Sequence, residues 1–116
     1  MDFDGLDFDM SIKITKGTKV FGPGIVALLE NVERYESLNK ATMQMGMAYS
    51  KAWKIVKAAE SKLGVPLLKR RIGGSGGGGA VLTAEGKYLL ETYQGFVKEA
   101  NAEVTKVFKK YFGGKS

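Results

Sequence analysis

The sequence has no cysteine, no histidine and only two prolines among its 116 residues. Without cysteine there is no disulfide framework and no thiol nucleophile. Without histidine there is no His-based triad and no imidazole general base, and zinc or iron sites built from either residue are excluded as well. A site made of carboxylates alone stays open. Asp2, Asp4, Asp7 and Asp9 are spaced like the start of a calcium loop, but the glycine and distal glutamate of such a loop do not follow. Neither a metal nor a cofactor is expected. Long apolar runs are missing too. The stretch from Gly24 to Leu29 is far too short to cross a bilayer, and the N-terminus carries aspartates where a secretory signal carries lysines. The expectation is a cytoplasmic protein without a membrane partner.

What remains is the composition of an ordinary small globule, 44% apolar and 26% charged, long enough for one domain with one modest core. The formal net charge is +6, and it is unevenly spread. Four of the 12 acids lie in the first ten residues. Between Ser37 and Leu82 eight cations, Lys40, Lys51, Lys54, Lys57, Lys62, Lys69, Arg70 and Arg71, stand against one acid, Glu60. Such a segment suits a polyanion, either nucleic acid or an acidic membrane surface.

Along the chain, residues 1–10 read as an acidic tail or weak edge strand, 11–82 as a domain, and 83–116 as a long helix with its tail. Ile12, Ile14 and Val20 alternate with Lys13 and Thr15, the period of a strand or hairpin. Phe21-Gly22-Pro23-Gly24 breaks the chain, and Ile25, Leu28, Leu29 and Val32 then recur at helical spacing as far as Tyr35. Ser37 is placed to cap a short second helix that stops at Gly46. A third helix over 48–63 carries Tyr49, Ala52, Trp53, Val56, Ala59 and Leu63 along one face, with Ser50, Lys51, Lys54 and Lys57 on the other. Gly64 and Pro66 end it. Trp53, on the apolar stripe, reads as core.

Leu67 to Ile72 and Ala80 to Leu82 read as the strands of a hairpin whose tip is the glycine run around Ser75. Thr83 caps the last helix, in which Leu90, Tyr93, Val97, Ala100, Val104, Val107 and Tyr111 step by three and four. Reaching to Phe112, that helix would be about 45 Å long, more than so small a domain covers. Those seven residues form the expected dimer interface, above all beyond Ala100; from Leu90 to Val97 the stripe also reads as a core face packed within the same chain.

The order gives a fold class that is mainly α with a little β. A three-helix core, a two-stranded glycine-rich wing, an N-terminal strand and a long C-terminal dimerisation helix make up a winged helix-turn-helix. In that unit the second helix of the pair enters the major groove and the wing grips phosphates or the adjacent minor groove. The candidate DNA-binding residues are therefore Ser37, Tyr49, Ser50, Lys51, Lys54, Lys57, Lys69, Arg70, Arg71 and Ser75. The glycine run lacks the lysine of a phosphate-cradling P-loop, so nucleotide hydrolysis is not expected.

Three stretches also carry a family resemblance: Ser37-Leu38-Asn39-Lys40-Ala41-Thr42, the run from Gly46 to Trp53, and Pro66-Leu67-Leu68 leading through the glycines to Ala80-Val81-Leu82-Thr83. With Gly86 completing Leu-Thr-x-x-Gly, they resemble the DNA-binding domain of the ModE-type molybdenum-responsive transcription regulators, which is related to the LysR-type winged helix. The resemblance covers Ser37 to Tyr93. Thr42 stands where that family usually has a second alanine, and Ala48 where it has a serine. The resemblance implies DNA binding and dimerisation. Full-length members hold molybdate or tungstate in a C-terminal module; none follows the last helix here, so molybdate binding is not expected. The resulting expectation is a homodimeric transcription regulator that binds double-stranded DNA sequence-specifically and catalyses nothing. Its rivals are a DNA-architectural protein without a defined operator and a protein-interaction scaffold that reuses the fold. An enzyme relying on Asp, Glu, Lys, Tyr or Ser is disfavoured because no paired carboxylates are in view.

Overall fold

The alternation of the first segment resolves into a hairpin. Strands β1 (Ile14–Lys16) and β2 (Thr18–Phe21) pair antiparallel about Gly17, whose φ of 79° is the left-handed conformation that glycine adopts freely. The computed structural model describes residues 4–71 and 79–113. β1 is exposed along its length, while Val20 and Phe21 at the end of β2 turn into the core.

Three helices follow. Helix α1 (Pro23–Tyr35) opens on proline, whose missing N–H would be unpaired there anyway, and buries Ile25, Val26, Leu28, Leu29 and Val32. Helix α2 (Leu38–Met45) is capped by Ser37, whose Oγ accepts from the Lys40 N–H at 3.1 Å, and it ends at Gly46 in the left-handed region. Helix α3 (Tyr49–Leu63) buries Ala52, Val56 and Ala59 and closes at Gly64 in the same way. Leu28, Leu29, Val32, Leu38, Ala41, Ala52 and Val56 meet in one cluster. Thr42 lies in it fully buried, and its hydroxyl donates to the Asn39 carbonyl at 2.8 Å, so a threonine in place of alanine leaves no polar group unpaired.

The second hairpin is made of β3 (Leu68–Arg70) and β4 (Ala80–Leu82), with Leu68 opposite Leu82 and Arg70 opposite Ala80. Helix α4 (Ala84–Phe108) starts directly after it. Thr83 ties the three elements together. Its backbone N–H donates to Leu67 O at 2.9 Å, its hydroxyl donates to Pro66 O at 2.6 Å, and the same oxygen accepts from the Gly86 N–H at 2.9 Å. Gly86 is part of this joint. A Cβ there would collide with the Leu67 carbonyl oxygen, which explains the Leu-Thr-x-x-Gly run in physical terms.

The first half of α4 belongs to the core. Leu90 and Tyr93 are 1% and 8% exposed; the Tyr93 ring stands edge-on to Phe21, and its hydroxyl donates to Ile12 O at 2.7 Å. The second half leaves the domain. The molecule measures 60 × 29 × 21 Å with a radius of gyration of 17.7 Å, against about 13 Å for a compact chain of similar length. That end has a companion from the same chain, which the sequence reading of residues 1–10 as a tail did not foresee. Leu6, Asp7 and Phe8 share a hollow with Asn101, Thr105 and Phe108, and the rings of Phe8 and Phe108 are 5.1 Å apart. Phe112 then stacks on Phe108. Two apolar residues set among aspartates make no local period, so only the folded chain reveals that they pack.

Candidate nucleic-acid interface

Burial of Ala52, Val56 and Ala59 fixes which side of α3 meets water. Ser50, Lys51, Lys54 and Lys57 lie on it, all exposed, and Tyr49 is exposed at the helix start. Lys51 and Lys54 make no ion pair among the described residues. The one acid of this basic segment does little to offset them. Glu60 is turned inward, where Oε2 accepts from the Leu67 and Leu68 N–H groups at 2.7 and 3.3 Å and anchors the turn into β3. Its other oxygen sits 3.5 Å from Lys57 Nζ, so Lys57 alone among the three has a local counter-charge. Lys62 faces elsewhere and ties α3 to the first hairpin, donating to Thr18 Oγ1 and Lys19 O.

Trp53 is not the core residue that its place on the stripe predicts. Its indole packs on the core with one side and lies half-buried at the margin, with Lys57 Nζ 5.2 Å and the Arg70 guanidinium 5.8 Å from the ring centre. Each cation is drawn to the indole ring, by about 0.5–1 kcal/mol at exposed positions. The ring of Tyr49 stands edge-on to the same indole. One tryptophan thus joins a cation of α3 to a cation of the wing.

At the wing, alternation along β3 places Leu68 and Arg70 on one face and Lys69 on the other, beside Val81. Lys69 and Arg70 are therefore separated rather than stacked into one patch. Arg71 follows, and its N–H donates to Gly79 O at 2.9 Å while its guanidinium is paired with the Glu36 carboxylate. Glu36 is the one non-glycine residue with positive φ among those described, at φ 50°. That backbone costs about 1–2 kcal/mol, while an ion pair this exposed contributes at most about 1. Further bonds hold the turn: the Glu36 N–H donates to Val32 O at 2.8 Å, and its carbonyl accepts from Ala80 N–H at 3.2 Å. Ser37 bridges Gly79, and its hydroxyl is already engaged as the cap of α2. Ser75 and the glycines from 73 to 78 lie outside the described residues.

The expected dimer residues divide at the domain boundary. Leu90 and Tyr93 are taken up by the chain's own core, Val97 packs against it and Ala100 is half-buried. The three-and-four spacing serves α1 and β2 over this first half, and the expected dimer surface narrows to the residues beyond Ala100. Val104, Val107 and Tyr111 remain 36%, 54% and 69% exposed.

Sequence reading missed Trp53 as a platform, and it missed the Glu36–Arg71 pair. A pattern of periods carries no signal for the contacts of Trp53 with Arg70 or of Glu36 with Arg71, since these partners lie on different elements. Among the described residues no group of three or more acidic side chains gathers to hold a metal, and no helix is long and apolar enough to cross a membrane.

Residues 26–87 match the model of the bacterial regulatory helix-turn-helix proteins of the LysR family. Over 85 residues the chain is 36% identical to the molybdenum-pterin-binding protein MopB of Rhodobacter capsulatus, a match covering 73% of this chain and 31% of that protein. Over 71 residues it is 35% identical to the transcriptional regulator ModE of Haemophilus influenzae, covering 61% of this chain and 28% of that one. It thus spans about three tenths of the length of these relatives. The crystal structure of the CbnR_DBD-DNA complex has the same fold, with a TM-score of 0.57 at 21% identity over 72% of this chain and 91% of that one. The winged arrangement of α2, α3, β3 and β4, the family match over most of it and the ModE-type relatives lead to one assignment: the chain belongs to the LysR family of bacterial regulatory helix-turn-helix proteins.

Proposed function

We propose that the chain binds double-stranded DNA sequence-specifically and, as a homodimer, regulates transcription in the bacterial cytoplasm. The observation that carries this reading is the indole of Trp53, on which Lys57 of α3 and Arg70 of the wing converge. A groove-entering helix and a backbone-gripping wing need a common face, and this contact supplies one. Tyr49, Ser50 and Lys51, in the first turn of α3, are assigned to base edges; Lys54, Lys57, Lys69, Arg70 and Arg71 are assigned to phosphates. Ser37 and Ser75 are assigned to the backbone beside them. Val104, Val107 and Tyr111 form the surface for the second copy.

The test is selection of bound duplexes from a random library at a stated salt concentration. A two-fold-related enriched site is the expected result. Binding without any enriched site would favour an architectural protein, and no binding at low salt would favour an interaction scaffold. Molybdenum in the names of the relatives does not transfer, because the match covers so little of their length. Calorimetric titration with molybdate is expected to show no tight stoichiometric binding.

A further inference from the structure

Among the described residues, Arg71 is the one wing cation paired with a carboxylate, and that carboxylate comes from a residue with an uncommon backbone. Glu36 sits between α1 and α2 in the left-handed region, where glycine would be easier. Its carbonyl receives Ala80 of β4, the next residue bridges Gly79, and its side chain reaches Arg71 at the end of β3. Both strands of the wing are thus held at one turn of the helix-turn-helix. The pair is exposed, 50% and 57% for the two side chains, so it is screened and weak as a support for the fold. It is well placed as a source of charge. Lys51, Lys54 and Lys69 have no carboxylate within ion-pair distance among the described residues, while Arg71 does.

We propose that Glu36 competes with DNA phosphate for Arg71. The inference rests on the DNA-binding reading above. In the free protein the carboxylate occupies the guanidinium and removes one positive charge from the wing base. A phosphate can take Arg71 only by displacing Glu36 from it. While the pair holds, Arg71 neutralises no phosphate and releases no counterion from the duplex, so it adds little to sequence-independent binding. Glu36 is in this sense a specificity-determining residue. It lowers the general attraction for any duplex and leaves base contacts from α3 untouched.

The experiment measures binding of the full chain to a random duplex and to its selected site across a salt series, for wild type, Glu36→Gln, Glu36→Gly, Arg71→Gln and the double variant Glu36→Gln with Arg71→Gln. Glu36→Gln is expected to raise affinity for the random duplex several-fold and to steepen the salt slope by about one unit. Glu36→Gly, which relieves the backbone as it removes the carboxylate, should steepen the slope equally. Arg71→Gln in the Glu36→Gln background should abolish that gain in both affinity and slope. A slope unchanged to within half a unit in Glu36→Gln, or affinity reduced in both Glu36 variants, would show that the pair only positions the wing and would overturn the proposal. Wild type that fails to bind any duplex would instead remove the underlying reading, so the two failures are distinct.

Discussion

Two glycines of α4 separate the demands of packing from those of helix propensity. Alanine is the better helix former by about 1 kcal/mol at an open position. At Gly95 an added Cβ meets nothing within 4 Å, so Gly95→Ala should stabilise the chain by up to about 1 kcal/mol. At Gly86 the neighbour is the Leu67 backbone, which cannot swing aside, and Gly86→Ala should destabilise by about 1–3 kcal/mol despite the gain in propensity. Urea unfolding of the two variants decides it, and equal shifts in one direction would remove the special role of the Thr83 joint. Tyr93 adds a pH dependence. Burial raises its phenol above the ordinary value of 10.0. The unfolded chain therefore loses this proton first, so the contribution is fully present below about pH 10 and declines as pH rises through the folded value. Tyr93→Phe should remove this part of the alkaline loss. It should also cost about 1 kcal/mol near neutral pH through the lost bond to Ile12. Comparing unfolding midpoints of the two chains from neutral to strongly alkaline pH checks both effects.

At the scale of elements, α3 and the wing should contribute to binding in different ways. Lys54, assigned to phosphate, has no local counter-charge, so Lys54→Ala should flatten the salt slope by up to about one unit. Replacing Ser50 and Lys51 should change which site is selected, since first-turn residues face base edges. Trp53→Leu retains apolar packing but removes the platform under Lys57 and Arg70. It should weaken random and selected duplexes alike, and an unaltered affinity would remove the indole from the interface. How much of this was legible depends on where the signal lies. The caps at Ser37, Gly46 and Thr83 and the buried stripe of α3 are local, set by hydrogen bonds and periods within about four residues, and their positions follow from the sequence. Trp53 follows the same period yet lies at the edge of the stripe, where period alone does not separate core from margin. Glu36 with Arg71 and Phe8 with Phe108 are contacts between distant residues, and nothing local marks them.

For the whole molecule, the question is what covers the far end of α4. Its 25 residues span about 37 Å, and its first half is consumed by the domain. Residues 6–8 cover only the side bearing Asn101, Thr105 and Phe108, which leaves Val104, Val107 and Tyr111 as an apolar strip on the neighbouring side. A second copy laid along that strip would bring two copies of α3 to one duplex, and half-sites about 34 Å apart, one turn of duplex, or a multiple of that would then be held through one link. Val104→Asp with Val107→Asp puts two charges where the partner must pack, at a cost of about 2 kcal/mol or more each if the seam is dry. The variant should sediment as a monomer and lose most of its affinity for a two-fold-related site. Its unfolding midpoint should hardly move, because both residues are exposed within one chain. A falling midpoint would mean instead that residues 6–8 and the end of α4 fold as one unit with these valines. A variant that stays dimeric with affinity intact would place the interface on another surface, leaving the strip as the solvent side of a helix steadied by its own N-terminal segment.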